Sequence, residues 1–471
     1  MTLKALPRPG PRMPTETRRV DILLIFAVAL AARLLYAFLA VPDPNAALIN
    51  GDGSTYQQYA VNLLEHGRYF ANNGDRIYRY PGYPLFLALI YRFFGHASVR
   101  PVEIIQCLIG AMACVALYAA AAKLYGRRWG LSCGLAAGTF YYELIQPSAV
   151  VLRESVSSSV VCFILALWFL FPSRPRLQAV GAALLWAAGT LVREEFGLLA
   201  VLFFALAPRL SKAWRLRHSV LGAALFLMIL SPWPIRNYFL FHRFIPFTSS
   251  GTGARYDGLR APLQDIGDMP IVKNEPAPTS LYTELALTAY FDRRFKAVFR
   301  ATPAWKIARA YALNFLTIWY PFQPEYDWTY VLFVPLWLLA LWRWRPHPEL
   351  RVLWLLIAAY LLPHAFFGHD SLRFREPIAG ALLLAATAGA RDAWLAWGSA
   401  FRVGMLGWAA VNIAILFYAV EVRSAALSIK SALLGNRWWT SSASHQTHPA
   451  SGNGKRWRPG LSSKLGGNGG V

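Results

Sequence analysis

Long apolar segments separated by short basic joints are the feature that most constrains this chain. They recur from Val20 to Val420, and several reach the length of about 20 apolar residues that one membrane-crossing helix needs. Of the 471 residues, 56% are hydrophobic and only 15% are charged, whereas a water-soluble domain needs roughly a quarter charged residues to cover its surface. The chain is therefore predicted to be an all-α polytopic membrane protein.

The positive charge of the chain has a second possible meaning. A formal net charge of +23 would suit a nucleic-acid-binding protein, but the lysines and arginines do not form one stripe. They cluster in hydrophilic joints such as KLYGRRWG, SRPRLQ and RWRPHPELR, and basic joints orient spans with their positive side in the cytoplasm. The charge therefore indicates topology, and no nucleic-acid partner is expected.

The joints divide the chain into three parts. Residues 1–19 are predicted to form a basic cytoplasmic tail, 20–422 the transmembrane module, and 423–471, rich in Gly and Ser, a disordered basic tail. Polar segments 42–100 and 241–302 are expected to form outer loops, and 304–320 to lie at the membrane interface. About eleven spans are predicted, near residues 20–41, 101–122, 129–147, 155–172, 178–192, 196–208, 219–240, 329–343, 350–367, 376–391 and 403–421.

The first outer loop contains two predicted juxtamembrane helices. In Ser54–Gly67 the apolar residues recur at helical spacing, Ser54 suits an N-cap, and Gly67 suits a C-terminal stop. The segment Pro81–Gly95 is too short to cross a membrane but apolar enough to lie at its interface.

Charged residues collect at the outer ends of different predicted spans. Charges near a membrane are costly and usually have a functional reason, and a bundle would gather these around one outward-facing cavity. Carboxylates among several arginines suit a site that binds an anion and moves a proton. The residues concerned are Asp52, Arg76, Arg79, Arg153, Glu154, Arg193, Glu194, Glu195, Arg236, Arg243, Arg255, His369, Asp370, Arg373 and Arg375.

Two roles fit Asp52, which lies between two glycines just after the first apolar run. It could cap the following helix, an interaction worth about 1 kcal/mol. It could instead be a reactive group, because flanking glycines let a bulky ligand approach the backbone closely. Spacing alone favours the cap and leaves both roles open.

Three segments, in order along the chain, carry motifs of a known family. The first loop holds an Asp, a Tyr four residues later, an A-x-x-L-x-x-G helix and an R-x-P-G-Y-P-L-F-L run. SPWPIRNYFLFHRFIPF matches a PW-x-x-RN-x-x-x-F-x-x-F-x-P segment, and RFREPI matches a late RYRLPI stretch. The chain thereby resembles bacterial GT-C glycosyltransferases of family 39, which include protein O-mannosyltransferases and the lipid A aminoarabinose transferase.

This resemblance implies a GT-C-type bundle and a set of site residues. It implies that Asp52 is the catalytic base, and Glu154, in looser surroundings, matches the family's second acid. Arginines implied to bind the donor phosphate are Arg79, Arg236, Arg373, Arg375 and Arg193. The match departs from the family in lacking a Pro after Arg193 and in having Glu376 where an apolar residue is usual. Aromatic residues suited to stacking on the sugar or acceptor are Tyr56, Tyr83 and Trp233.

The implied activity is transfer of a sugar from a polyprenyl-phosphate donor to an acceptor hydroxyl, at the outer face of the bacterial inner membrane. Asp52 would deprotonate the acceptor in a single inverting displacement. A membrane-dissolved donor needs no nucleotide site, and the sequence has neither a P-loop nor a G-x-G-x-x-G before a helix. No cofactor is expected, and a divalent metal stays undetermined because no dedicated ligand set appears.

Two other functions are compatible with the sequence. A lipid or sugar flippase would carry inverted repeats and polar groups near the bilayer midplane, whereas the charges here gather at span ends. A non-catalytic family member acting as a scaffold is the other alternative. The sugar and the acceptor, whether lipid, glycan or protein, stay open.

Overall fold

The computed structural model describes residues 15–43, 48, 52–95, 97–272, 284–322, 326–343, 348–367 and 372–434, and most of these residues are helical. Within these ranges no strand is formed, so the predicted all-α class is confirmed. In chain order the α-helices are α1 (Thr15–Leu35), α2 (Asp52–His66), α3 (Gly82–Phe94), α4 (Val99–Tyr125), α5 (Arg127–Leu135), α6 (Tyr142–Ile145), α7 (Glu154–Leu170), α8 (Pro175–Val192), α9 (Phe196–Leu210), α10 (Leu216–Leu230), α11 (Pro232–Phe241), α12 (Ser250–Asp265), α13 (Glu284–Ala301), α14 (Ala304–Thr317), α15 (Trp328–Trp342), α16 (Pro348–Phe367), α17 (Ala379–Trp397), α18 (Ser399–Phe417) and α19 (Ala419–Leu434).

Several helices are suited to crossing a membrane. Five described segments are long and apolar enough, namely Arg18–Ala40, Val99–Tyr125, Leu350–Phe367, Glu376–Trp397 and Ser399–Phe417. The pair α10 and α11, bent by 40° where Pro232 begins α11, makes up to six. Shorter apolar helices are α3, α7, α9 and α15. The multi-pass membrane class is confirmed, whereas the number of about eleven crossings stays a prediction.

The predicted span 129–147 is broken rather than continuous. After α5 the chain makes a π-turn at Ala136–Phe140, then the single turn α6, then a 3-10 turn at Gln146–Ala149. Arg33 of α1, only 1% exposed, donates to the carbonyls of Ala137, Gly138 and Leu144 at 3.2, 3.2 and 2.8 Å. These bonds supply donors to carbonyls in and beside the irregular turns.

The predicted helix boundaries hold in the first outer loop, with one shift. Helix α2 begins at Asp52, two residues before the predicted start, and ends where predicted. Gly67 has φ +63° and donates its N–H to the carbonyl of Leu63 at 3.1 Å. Helix α3 ends at Gly95, also in the left-handed region.

Other predicted loops and tails contain more helix than expected. The segment 241–302 includes α12 and α13, and 423–434, predicted to be disordered, belongs to α19. The rest of that tail, most of the N-terminal tail, and His369 and Asp370 lie outside the described residues.

The main core lies mostly between α1, α4, α5, α7, α8, α9, α15, α16 and α17. Small side chains let these helices approach closely, as in other membrane bundles. Fully buried alanines there include Ala111, Ala121, Ala137, Ala183 and Ala385. The four cysteines are buried and free.

Candidate active site

Four segments that are distant in sequence meet at one end of the bundle. Asp52 is the first residue of α2, Glu154 is the first residue of α7, and Arg193 directly follows α8. Arg373 lies in the 3-10 turn Leu372–Phe374, between α16 and α17. The predicted acids are therefore brought together with three of the predicted arginines, namely Arg193, Arg373 and, from the first outer loop, Arg79.

Both carboxylate oxygens of Asp52 accept hydrogen bonds from arginines. Arg79 Nη2 donates to Oδ1, and Arg373 Nη1 donates to Oδ2 at 2.8 Å. The side chain of Asp52 is 29% exposed and that of Arg79 is 13% exposed, so the pair lies at the edge of the solvent-accessible surface. Both oxygens of this carboxylate therefore pair with guanidinium groups.

The charges of this site determine the protonation of Asp52. Burial by itself would raise the pKa of the carboxyl group, but the nearby positive charges of Arg79 and Arg373 lower that pKa below its usual value. Asp52 is therefore a carboxylate at neutral pH.

Arg373 also binds the second acid. Its Nε and Nη2 atoms lie 3.0 and 2.9 Å from Glu154 Oε1, and Arg193 Nη1 reaches the same oxygen at 3.3 Å. Glu154 and Arg193 are each 1% exposed. The other carboxylate oxygen, Glu154 Oε2, is buried and has no hydrogen-bond partner in the described part of the chain.

The ion-pair network continues past Arg193. Glu195 faces Arg193, Arg153 and His364, whereas Glu194 accepts a hydrogen bond from Thr248 Oγ1 at 2.7 Å. Sequence reasoning included the two glutamates and Arg153 among the clustered charges but missed His364. A histidine inside the apolar run of α16 was the signal that could have found it.

The three predicted aromatic contacts have different surroundings. Tyr56 lies beside the site, with its ring centroid 5.0 Å from Arg79 Cζ and its hydroxyl buried without a hydrogen-bond partner. Tyr83 is fully buried and donates to Gln106 Oε1 at 2.8 Å. Trp233 donates from Nε1 to a backbone carbonyl at 3.1 Å and is 5% exposed. Only Tyr56 of these three has its polar atom available beside the acids.

Arg236 has a different environment from the one predicted. It donates to the carbonyls of Arg76 and Tyr69 at 3.2 and 3.0 Å, and to Asn237 Oδ1 at 2.9 Å. These bonds tie α11 to the first loop. The geometry gives no support to the expected phosphate contact of Arg236.

Arg375 is likewise held elsewhere. It is 0% exposed and pairs with Glu143 and with Asp327, the latter at 3.1 Å. Its Cζ lies 3.4 Å from the ring centroid of Tyr330. Because the guanidinium is enclosed by these groups, the geometry gives no support to the expected phosphate contact of Arg375. Glu143 and Asp327 were not singled out from the sequence, although a charge at Glu143 inside a predicted span was a signal.

No group of three or more His, Cys, Asp or Glu side chains suited to holding a metal ion occurs among the described residues. The acids of the site face arginines instead.

Comparison with known proteins supports the family predicted from the sequence. Residues 79–235 match the family model described as dolichyl-phosphate-mannose-protein mannosyltransferase. This stretch holds Arg79, Glu154 and Arg193, whereas Asp52 and Arg373 lie outside it. No curated protein matches the chain.

The chain also has measurable similarity to solved structures. The oligosaccharyltransferase of Archaeoglobus fulgidus, tethered with an acceptor peptide containing the NVT sequon, has a TM-score of 0.50 and 11% identity, covering 86% of this chain and 54% of that one. The oligosaccharyltransferase AglB of the same organism, in complex with an inhibitory peptide and a dolichol-phosphate, has a TM-score of 0.49 and 12% identity. The match covers 85% of this chain and 54% of that one. ArnT from Cupriavidus metallidurans bound to undecaprenyl phosphate has a TM-score of 0.37 and 15% identity, and the match covers 79% of this chain and 77% of that one.

This chain thus spans about half the length of the oligosaccharyltransferases that it matches. At such low identity the likeness to the first of these structures concerns the fold alone. The predicted resemblance is confirmed at that level, with the family model as its second support.

Proposed function

We propose that this chain, a membrane protein of the GT-C glycosyltransferase type, transfers a sugar from a polyprenyl-phosphate donor to an acceptor hydroxyl. The observation that carries this proposal is the carboxylate of Asp52 held between Arg79 and Arg373 at one end of an apolar bundle. A lipid-borne phosphate needs cations near the membrane surface, and an acceptor hydroxyl needs a base. The family model, whose description names a dolichyl-phosphate sugar, supports this donor class.

The reaction is a single displacement at the anomeric carbon of the sugar. The acceptor oxygen forms a bond to that carbon while Asp52 takes the hydroxyl proton, the bond to the phosphate oxygen breaks, and the configuration inverts. The polyprenyl phosphate leaves with the electron pair. A carboxylate beside two arginines is a weak base, so positioning of the acceptor supplies much of the rate.

The arginines stabilise the leaving phosphate without a proton donor. Each guanidinium carries five N–H donors, and only some of them are used by the carboxylates. Arg79 Nε is buried and has no hydrogen-bond partner among the described residues, so this side chain retains a donor for a phosphate oxygen. Arg373 can share its donors between the phosphate and the two acids, which spreads the negative charge that develops.

Glu154 supports the reaction from a more buried position than that of Asp52. Its Oε1 atom anchors Arg373 and Arg193, and its unpaired Oε2 atom can accept a hydrogen bond from a hydroxyl of the substrate. Because Glu154 is almost fully buried, it orients groups rather than exchanging protons with bulk solvent.

The distribution of basic joints supports an outward-facing site. Lys123, Arg174 and Arg209 mark the ends of α4, α8 and α9 that lie opposite the ends at the site. Positive joints face the cytoplasm. The site then faces the outer side of the membrane, which for a bacterial protein is the periplasmic side of the inner membrane.

The test uses the purified protein in detergent with a polyprenyl-phosphate hexose. Asp52→Asn is expected to lower the rate of sugar transfer by about 10²–10⁴-fold, the usual contribution of a general base, while polyprenyl-phosphate binding is retained. Asp75→Asn is the matched control, because Asp75 lies in the same loop and bonds to Asn73 at 2.7 Å.

Mass spectrometry of lipids and glycans from a deletion strain supplies the cellular measurement. The proposal predicts one missing sugar modification and accumulation of the polyprenyl-phosphate sugar. An unchanged glycan profile, or normal turnover by folded Asp52→Asn protein, would contradict it and favour a transporter or a scaffold.

A further inference from the structure

A second polar cluster lies next to the reaction centre, and of its members only Arg193 takes part in the mechanism above. It consists of five side chains, namely Arg153, Arg193, Glu195, Tyr360 and His364, which we term the Glu195 cluster. Tyr360 and His364 are four residues apart on α16, so they face the same side of that helix. Arg193 belongs to both sites, because its Nη1 pairs with Glu154 and its Nε faces Glu195.

The contacts of Glu195 are ion pairs but not hydrogen bonds. Its oxygens lie 3.9 Å from Arg153 Nη2, 3.7 Å from Arg193 Nε and 3.7 Å from His364 Nε2. Direct N–H···O hydrogen bonds are about 2.7–3.2 Å long. Glu154, in contrast, receives donors at 2.9–3.3 Å from Arg373 and Arg193. Glu195 is thus held by charge while its lone pairs stay available.

Every member of the cluster has a polar atom that is buried and without a hydrogen-bond partner in the described part of the chain. These atoms are Arg153 Nε, Arg193 Nε, Glu195 Oε2, Tyr360 Oη and His364 Nε2. Tyr360 and His364 are only 1% and 2% exposed. Buried polar groups are normally paired, so unpaired donors and acceptors gathered in one place indicate a polar ligand or water between them.

The mixture of groups indicates which ligand fits. The carboxylate of Glu195 disfavours a second anion, and the two arginines disfavour a free cation. A sugar hydroxyl both donates and accepts, so it can bond to the carboxylate and to the guanidinium, imidazole or phenol groups at the same time. Glu195 is 28% exposed, which leaves the cluster open to a ligand from the surface.

From these observations we infer that the Glu195 cluster is a subsite for the hydroxyl groups of a pyranose bound at the reaction centre. The inference rests on the proposed function, because it assigns the cluster to the sugar of that reaction. The hydroxyls belong either to the transferred sugar or to a carbohydrate acceptor. The ring of His364 lies 4.8 Å from that of Phe374, which directly follows Arg373, so the subsite adjoins the turn that contacts Asp52.

The test compares binding of two lipids, a polyprenyl phosphate and the same lipid carrying a hexose. Tyr360→Phe removes one hydroxyl without changing shape, and Glu195→Gln removes the charge. Each variant is expected to weaken binding of the sugar-bearing lipid by about tenfold, the effect of one or two hydrogen bonds, and to leave binding of the plain lipid phosphate unchanged. Matched controls are Tyr238→Phe and Glu65→Gln, which make the same changes at exposed residues.

The two sources of the hydroxyls give different results. If the subsite binds the acceptor, the variants bind both lipids with the affinity of wild type, and the KM of the variants for a carbohydrate acceptor rises about tenfold. The inference is overturned if folded variants match wild type in both lipid affinities and in acceptor KM. If wild-type protein neither binds the lipid phosphate nor transfers sugar, the proposed function fails first, and that result is distinguishable from failure of the subsite alone.

Discussion

Arg373 Nη1 lies 2.8 Å from Asp52 Oδ2, although 321 positions separate the two residues in the chain. The same guanidinium donates to Glu154, so one side chain connects the two acids of the candidate site. A planar guanidinium presents its donors in a fixed fork. Arg373 therefore fixes the orientation of both carboxylates relative to each other.

Replacement of Arg373 is expected to reduce turnover strongly. Arg373→Ala should lower kcat by about 10²–10³-fold, as loss of one preorganised donor at a developing charge does elsewhere. The kcat of Arg373→Lys should lie between those of Arg373→Ala and wild type, because lysine keeps the positive charge but lacks the planar set of N–H donors. Single-turnover transfer assays measure the effect, with the exposed Arg243→Ala as control. Full activity of folded Arg373→Lys protein would contradict the bridging role.

The ion pairs of Asp52 give a pH-dependent contribution to stability. Because Arg79 and Arg373 hold the folded-state pKa of Asp52 below its usual value, this contribution is fully present above the unfolded-state pKa, which is about 3.9. It is lost as the pH falls through the lower folded-state pKa. We expect the difference in Tm between wild type and Asp52→Asn to be constant from about pH 5 to pH 7 and to shrink below about pH 4. A difference that shrinks already near pH 6 would mean that this carboxyl group is not held in its charged form.

Loss of Arg375 is expected to destabilise the fold rather than the donor complex. Arg375→Met leaves the buried carboxylates of Glu143 and Asp327 without their cation, and breaking such a buried pair costs about 3–5 kcal/mol. The measurement is thermal unfolding in detergent, with the exposed Arg402→Met as control. If Arg375→Met kept the wild-type Tm but lost lipid-phosphate affinity, the phosphate contact expected from the sequence would be restored.

Close packing of α3 on α8 positions Arg193. A Cβ atom added at Gly82 would lie 2.4 Å from the carbonyl carbon of Leu191 and 2.7 Å from the backbone nitrogen of Val192. Gly82→Ala must therefore displace α3 from the end of α8, just before Arg193. Since a displacement of about 1 Å can cost 10²-fold in rate, sugar transfer should fall more than stability does. In contrast, Gly251→Ala, where a Cβ meets no atom within 4 Å, should behave as wild type. Unchanged transfer by Gly82→Ala would show that this packing does not control the site.

Local sequence patterns predicted those features of the molecule that are set by residues close together in the chain. Apolar run length gave the membrane class, and the glycines gave the ends of α2 and α3, because only a residue without a Cβ adopts positive φ at low cost. Asp52 and Arg79 lie on one loop and are 27 positions apart, so their association was accessible from the sequence.

Contacts between distant helices were not accessible in this way. Arg373 and Arg375 have the same chemistry and are two positions apart, yet one meets Asp52 and the other meets Glu143. In a turn of about three residues, side chains two positions apart point to different sides. The letters RFREPI do not show the geometry of this turn, and they do not show which carboxylate each of the two arginines meets.

The sequence by itself determined that the chain is a bundle of membrane helices with acids and arginines at span ends, because hydropathy and charge act along the chain. Only the tertiary structure decided which arginine faces the carboxylate of Asp52, which arginines pair with carboxylates elsewhere in the bundle, and that Tyr360 and His364 lie beside Glu195. Those outcomes depend on how helices rotate and pack against one another, and packing is set by the shapes of many side chains together rather than by any one segment.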